Sequence, residues 1–222
     1  MTAYTLVRSR RRRTFCLQID PEGALRVLVP ASAGLEAIDS FVREHARWIE
    51  RTQARLQERP APPPLVDGAH IPYLDGLLAL AVQPPGARRR RAARDGDCLR
   101  VPGADDATIR RQIELWYRQE AYRHGIERIV HFAPLVGRAP QRLRIAGQKT
   151  RWGSCSARGT ISLNWRLMMV PAILFDYVVA HELCHLLCPH HGTGFWREMA
   201  RVMPDYATHR KNLRAQGGRF AL

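Results

Sequence analysis

Lysine is almost absent from this chain. Lys149 and Lys211 are the only two among 35 basic residues, so a formal charge of +15 rests on arginine. Arginine-rich codon usage produces the same skew, which weakens any inference from charge alone. Long apolar runs are also missing: no stretch approaches the roughly 18 residues of a membrane-crossing helix, so no membrane span is expected. The segment 1–8 lacks an apolar signal core followed by a small-residue cleavage site, and a cytoplasmic protein is expected. Cysteine is sparse and odd in number, at Cys16, Cys98, Cys155, Cys184 and Cys188. Without framework spacing these exclude a disulfide-stapled secreted domain.

What is present is enough for a folded core: 222 residues, 45% of them hydrophobic, suit one core and a smaller appendage. The basic residues gather in three places. Arg8 joins Arg10–Arg13, Arg88–Arg91 joins Arg94, and Arg138, Arg142, Arg144, Lys149 and Arg151 form the third cluster. Such runs attract polyanions, nucleic acid or nucleotide phosphates, or serve only as a solvated face.

The pattern along the chain predicts an N-terminal hairpin, with strands over 5–20 and 24–29 joined by the turn Asp20-Pro21-Glu22-Gly23. A helix over 34–59 follows, with Ile38, Phe41, Val42, Ala46, Ile49 and Leu56 at helical spacing. Pro60-Ala61-Pro62-Pro63-Pro64 reads as a stiff connector. This places a domain boundary between 1–64 and 65–222. Beyond it, 69–82 and 98–101 read as a strand pair around an arginine-rich loop. A long helix over 107–132, capped by Asp105 or Asp106, carries a predicted buried stripe of Ile109, Ile113, Trp116, Tyr117, Ala121, Tyr122, Ile126 and Ile129. Strands over 142–146 and 160–165 and two closing helices over 193–202 and 206–214 complete the order. No internal repeat is evident.

The chemistry concentrates at His181-Glu182-Leu183-Cys184-His185. In a helix, residues four apart share one face, so both imidazoles can reach a single ion about 2.0–2.1 Å from each nitrogen. Glu182 beside it can take a proton from water and return it to a leaving group. Upstream, Ile173-Leu174-Phe175-Asp176-Tyr177-Val178-Val179-Ala180 is too apolar for a surface helix, so the histidines ride on a buried element. Pro171 suits its first turn, and Pro189 is placed to stop it after Cys188. The returning chain offers His190 or His191 as a third ligand. Cys188, about 60° from His185 on a helical wheel, is a conceivable thiolate or a packed apolar residue. Three protein ligands and an open position is the catalytic zinc arrangement.

Lys149-Thr150-Arg151-Trp152-Gly153-Ser154-Cys155-Ser156 and Ile161-Ser162-Leu163-Asn164-Trp165-Arg166-Leu167, with the metal motif and His191-Gly192-Thr193-Gly194-Phe195-Trp196, resemble the YgjP-like metal-dependent hydrolases, strongly over 140–215. The resemblance implies an α+β, zincin-like metallopeptidase domain at 65–222, related to SprT-like and WLM-type domains, preceded by the N-terminal hairpin and helix. It implies one Zn2+ per chain, or another divalent metal, held by His181, His185 and His191, with Glu182 as acid/base. The substrate it implies is a polypeptide, or in a second reading a nucleotide such as UTP. A nucleic-acid-associated SprT-like module is a third reading. Asn164, Trp152, Arg151 and Arg166 are the candidate substrate contacts. The strand 161–165, if at the sheet edge, can receive an extended peptide by strand addition. Cys155 lacks a second histidine system to activate it as a nucleophile.

Overall fold

The computed structural model describes residues 3–20, 23–58, 63–84, 91–148 and 150–216. Pro21 and Glu22 of the first turn, Pro60, Ala61 and Pro62 of the connector, Arg88, Arg89 and Arg90, and Lys149 lie outside the described residues. The chain divides into two compact units, Met1–Pro62 and Pro63–Leu222.

In the first unit the segment expected as one strand over 5–20 is two, β1 (Tyr4–Ser9) and β2 (Cys16–Ile19). The arginine run between them offers no apolar alternation to bury, and it turns away, with the Arg12 N–H donating to the Ser9 carbonyl. Only β2 forms the hairpin with β3 (Leu25–Pro30); β1 lies parallel to the other side of β3, in the order β1-β3-β2. Leu25, Val27 and Val29 alternate into a core completed by Ile38, Val42 and Ile49. These last three sit on two helices rather than the single helix expected, α1 (Leu35–Glu44) and α2 (Ala46–Gln57). His45 makes the break. Its backbone lies at φ −102, ψ 9, in the sparsely allowed bridge region, and its Nδ1 is 2.8 Å from the Phe41 carbonyl.

The second unit carries two sheets. In the first, β4 (His70–Tyr73), β5 (Gly76–Gln83), β6 (Ala93–Asp95) and β7 (Cys98–Pro102) run in the order β4-β5-β7-β6. The long helix α3 (Asp106–Val136) follows, capped by the Asp105 carboxylate, which accepts from the Thr108 N–H at 2.7 Å, and closed by Gly137 at φ 80. Its buried stripe steps through Tyr117, Ala121, Gly125 and Ile129, and the expected Tyr122 and Ile126 are 51% and 40% exposed. Small residues win these positions because the helix lies close on the second sheet: a Cβ at Gly125 would meet Leu143 Cδ2 at 3.0 Å and Leu163 Cδ1 at 3.2 Å.

That second sheet holds β8 (Arg142–Ala146), β9 (Gly153–Cys155) and β10 (Thr160–Asn164) in the order β8-β10-β9. The strand expected as an edge for peptide addition, β10, is therefore central; β8 and β9 are the edges, and β9 is the one that reaches the cleft. A 3-10 turn, Trp165–Met169, leads into α4 (Ala172–Cys184), α5 (Thr193–Val202) and α6 (Tyr206–Gln216). With α3 and α4 packed on each other and on this short sheet, the architecture is α+β and zincin-like. No helix among the described residues is long and apolar enough to cross a membrane.

Candidate metal centre

Helix α4 is apolar on every side because α3, α5, α6 and the strands β9 and β10 all touch it. Leu174, Phe175, Val179, Ala180 and Leu183 are at most 2% exposed, and burying each of the four larger side chains stabilises by about 1.5–3 kcal/mol. Its start is fixed by Asp75, which accepts the Ala172 N–H at 3.1 Å, and by the bidentate pair of Arg128 with Asp176 at 2.6 and 2.8 Å. Pro171 stands at the N-cap, just before the first turn in which it was expected. The α-helix ends at Cys184 rather than Cys188; residues 185–188 continue as tight turns in which the Cys188 N–H still donates to the Cys184 carbonyl at 2.9 Å.

His181 and His185 therefore leave a rigid, buried helix end, and His191 comes from the loop beyond it. Each of the three imidazoles offers a nitrogen within 4.8 Å of the other two. The Nε2 atoms of His181 and His191 are 3.0 Å apart, close to the spacing of about 3.3–3.4 Å for two nitrogens on one tetrahedral zinc ion. His185 Nδ1 lies 3.1 Å from the Cys188 carbonyl, which leaves its Nε2 free to ligate. Phe195 packs against all three rings at centroid distances of 4.6–4.8 Å. Trp196 stacks on His191 at 5.6 Å and donates its Nε1–H to the His191 carbonyl at 3.0 Å. His190 is exposed and outside this cluster.

Burial, reinforced by the neighbouring His185 and His191, pushes the His181 pKa down to about 3. Burial lowers that of His185 as well. The His181 and His185 imidazoles thus keep their lone pairs at neutral pH, as cation ligands must. Glu182 is 5% exposed and its Oε2 has no hydrogen-bond partner. Burial pushes its pKa up to about 8 against the opposing field of Arg151. Three imidazole nitrogen donors beside an unpartnered buried carboxyl fit a borderline-soft divalent cation such as zinc.

A cleft of about 490 Å³ opens over this cluster, lined by Trp152, Gly153, Tyr177, His181, Glu182, His191 and Trp196, with Arg210, Leu213 and Arg214 of α6 on one wall. Of the four candidate substrate contacts, Trp152 lines the cleft and Arg151 is near enough for its charge to act on Glu182. Asn164 and Arg166 are turned to other work. Asn164 is 3% exposed, donates to the Gln148 and Arg151 carbonyls at 2.7 and 3.1 Å, and accepts from the Arg166 N–H at 3.1 Å, so its amide ties Gln148 and Arg151 to the end of β10. The Arg166 guanidinium lies 4.2 Å from the Trp165 ring centre, in the field of Glu114 and Arg118 on α3.

The Trp152-Gly153 pair reads in the sequence as a tight bend near the site, and Gly153 on β9 abuts Glu182 so closely that a Cβ there would stand 2.6 Å from Oε1. Two residues escaped the sequence reading. Arg210 and Arg214, one helical turn apart on α6, carry no signal that separates them from the other arginines.

The family described as YgjP-like, metallopeptidase domain, matches residues 13–216, a span that takes in most of both units. No curated protein matches the chain. Among solved structures, the metallopeptidase zymogen of Pyrococcus abyssi abylysin is similar over 41% of this chain and 93% of its own, with 23% identity and a TM-score of 0.39.

Proposed function

The chain belongs to the YgjP-like metallopeptidase-domain family, and on that premise we propose that it is a zinc-dependent peptidase with Glu182 as general acid/base. One juxtaposition supports the reading above all: a buried carboxyl with an unpartnered oxygen beside three converging imidazoles, of which His181 and His191 line the same cleft. A zinc ion held by His181, His185 and His191 would keep one position open, supply Lewis acidity to a scissile carbonyl, lower the pKa of water towards neutrality and favour the ionised Glu182.

The chain's own contribution is placement and proton handling. Glu182 takes the proton of the attacking water on its carboxylate and returns it to the leaving amine. Its low exposure keeps competing bulk water from that proton. Gly153 leaves the carboxyl room to hold its position, and Trp152, Tyr177 and Trp196 wall the cleft. The edge strand β9 offers backbone groups along which an extended polypeptide can lie.

The test is hydrolysis of an unfolded polypeptide by zinc-loaded protein, with Glu182→Gln as the comparison. The amide keeps the shape but cannot accept the proton, so zinc content should persist while turnover falls by about 10²–10⁴-fold. Turnover near wild type would remove Glu182 from the mechanism. A second reading, nucleotide phosphoanhydride hydrolysis, draws on Arg210 and Arg214 in the cleft, since guanidinium groups match phosphate oxygens. The same assay on nucleoside triphosphates separates the two.

A further inference from the structure

We propose that Arg210 and Arg214 form an oxyanion-recognising subsite of the cleft that takes a carboxylate of an acidic polypeptide, so that the enzyme prefers acidic residues next to the bond it cleaves. The inference rests on the hydrolase reading of the same site and adds its substrate class. The two arginines are four apart on α6 and therefore on one face. That face is a wall of the cleft that holds His181 and Glu182. Among the described residues neither arginine makes an ion pair, whereas Arg100, Arg110, Arg118, Arg123, Arg128 and Arg201 each face a carboxylate. Charge on the cleft wall without an internal partner is available to a ligand.

Arg210 is also held in place. Its guanidinium carbon lies 4.5 Å from the centre of the Trp196 ring. Trp196 in turn stacks with Tyr206 at 5.3 Å and 17° and with His191 at 5.6 Å and 20°. Stacking occupies the face of a guanidinium and leaves its N–H edges free for a bidentate oxyanion. The column thus joins a substrate-facing cation to a metal-ligating histidine through one indole. The field of Arg210 reaches His181, and those of Arg210 and Arg214 reach Tyr177 across the cleft. Leu213, Val178 and Tyr177 complete the lining with apolar surface, suited to the rest of a peptide side chain rather than to a second charge.

The experiment uses the full chain, zinc-loaded, in the Glu182→Gln background so that binding is read without turnover. Fluorescent heptapeptides with a central alanine, flanked by aspartate, alanine or lysine, are titrated beside a nucleoside triphosphate. The aspartate peptide should bind about ten-fold tighter than the lysine peptide, a factor typical of one good charge-assisted pair. Arg210→Ala and Arg214→Ala should each reduce that ratio towards one, and Arg214→Glu should invert it. Arg142→Ala, on the exposed face of β8, should leave the ratio unchanged. Zinc content and thermal melting of each variant separate lost recognition from lost folding, and Arg210→Lys, which keeps the charge without the fork, should retain part of the preference.

A charge preference that survives both alanine variants overturns the proposal. So does cleavage of all three peptides at equal efficiency by the wild type, which leaves the peptidase reading standing. Arginine-dependent binding of the triphosphate alone, with no peptide bound, overturns both the carboxylate assignment and the peptidase reading.

Discussion

A methyl group added at Gly153 would stand 2.6 Å from Oε1 of Glu182, 2.8 Å from its Cγ and 3.0 Å from its Cδ, where carbon contacts settle near 3.5 Å or beyond. Gly153 is not among the glycines with positive φ, so alanine is opposed there by space and not by backbone strain. Relief requires roughly 0.9 Å of movement at the carboxylate, the gap between 2.6 Å and an ordinary contact. The two backbones have little to give, since β9 is tied into the sheet through Leu163 and Ile161 and α4 is packed against α3, α5, α6, β9 and β10. The side chain of Glu182 must therefore yield. Misplacing a catalytic group by about 1 Å costs on the order of 10²-fold in rate, and overpacking of this kind costs about 1–3 kcal/mol in stability.

Gly153→Ala should thus lose about 10²-fold in kcat while keeping zinc, because no ligand is among the atoms displaced. The assay is peptide hydrolysis with metal content and urea melting measured on the same preparation. A double-mutant cycle sharpens it: Glu182→Asp withdraws the carboxyl by one methylene, so alanine at 153 should harm the Glu182→Asp background much less than the wild type. A Gly153→Ala protein with wild-type kcat, or equal penalties in the two backgrounds, would refute the steric argument.

Two further outcomes follow from the ligand cluster. His191→Ala should lose zinc on chelator challenge while His190→Ala keeps it, as read by elemental analysis, because only His191 joins the three-imidazole cluster. The metal-free protein should also lose stability as pH rises from about 6.5 to 8. Glu182, raised from 4.5 to about 8, stabilises fully below its unfolded value and loses that contribution as pH climbs through 8. His181, lowered from 6.5 to about 3, contributes above 6.5 and loses it as pH falls. Above 6.5 the contribution of Glu182 falls by an amount approaching about 1.4 kcal/mol per pH unit, and this part of the slope is what Glu182→Gln removes. Urea midpoints at pH 6.5 and 7.5 for chelator-treated wild type and Glu182→Gln check it; equal slopes would remove burial as the cause.

Much of the second unit was legible in the sequence because its signals are dense. The apolar run before His181 could only be a buried helix, and α5 matches its expected span because Phe195, Met199 and their neighbours repeat at helical spacing. What escaped was set by tertiary contact. The break at His45 depends on one bridge-region residue inside an otherwise unbroken helical pattern. The stripe on α3 shifts by one residue because Gly125, which carries no hydrophobicity, fits where Ile126 does not. Strand order is not written in any local pattern, so β10 could be read as an edge although β8 and β9 flank it. At the site, Gly153 reads as part of a bend, but the space it leaves for Glu182 holds no atoms and so leaves no pattern to read.

Because α4 is at once the most enclosed helix and the bearer of His181, Glu182 and His185, its folding and its chemistry share one tolerance for change. In a saturation scan of the whole chain, substitutions at the buried apolar positions of α4 that lie away from the cleft should lower cellular abundance and activity together, so that inactive variants at Val179 or Ala180 would be mistaken for catalytic losses. At exposed His191 the two readouts should part, with abundance intact and activity gone, and at Arg214 abundance should hold while the preference among substrates changes. The ratio of activity to abundance, rather than activity alone, would then trace the functional surface of this protein across its sequence.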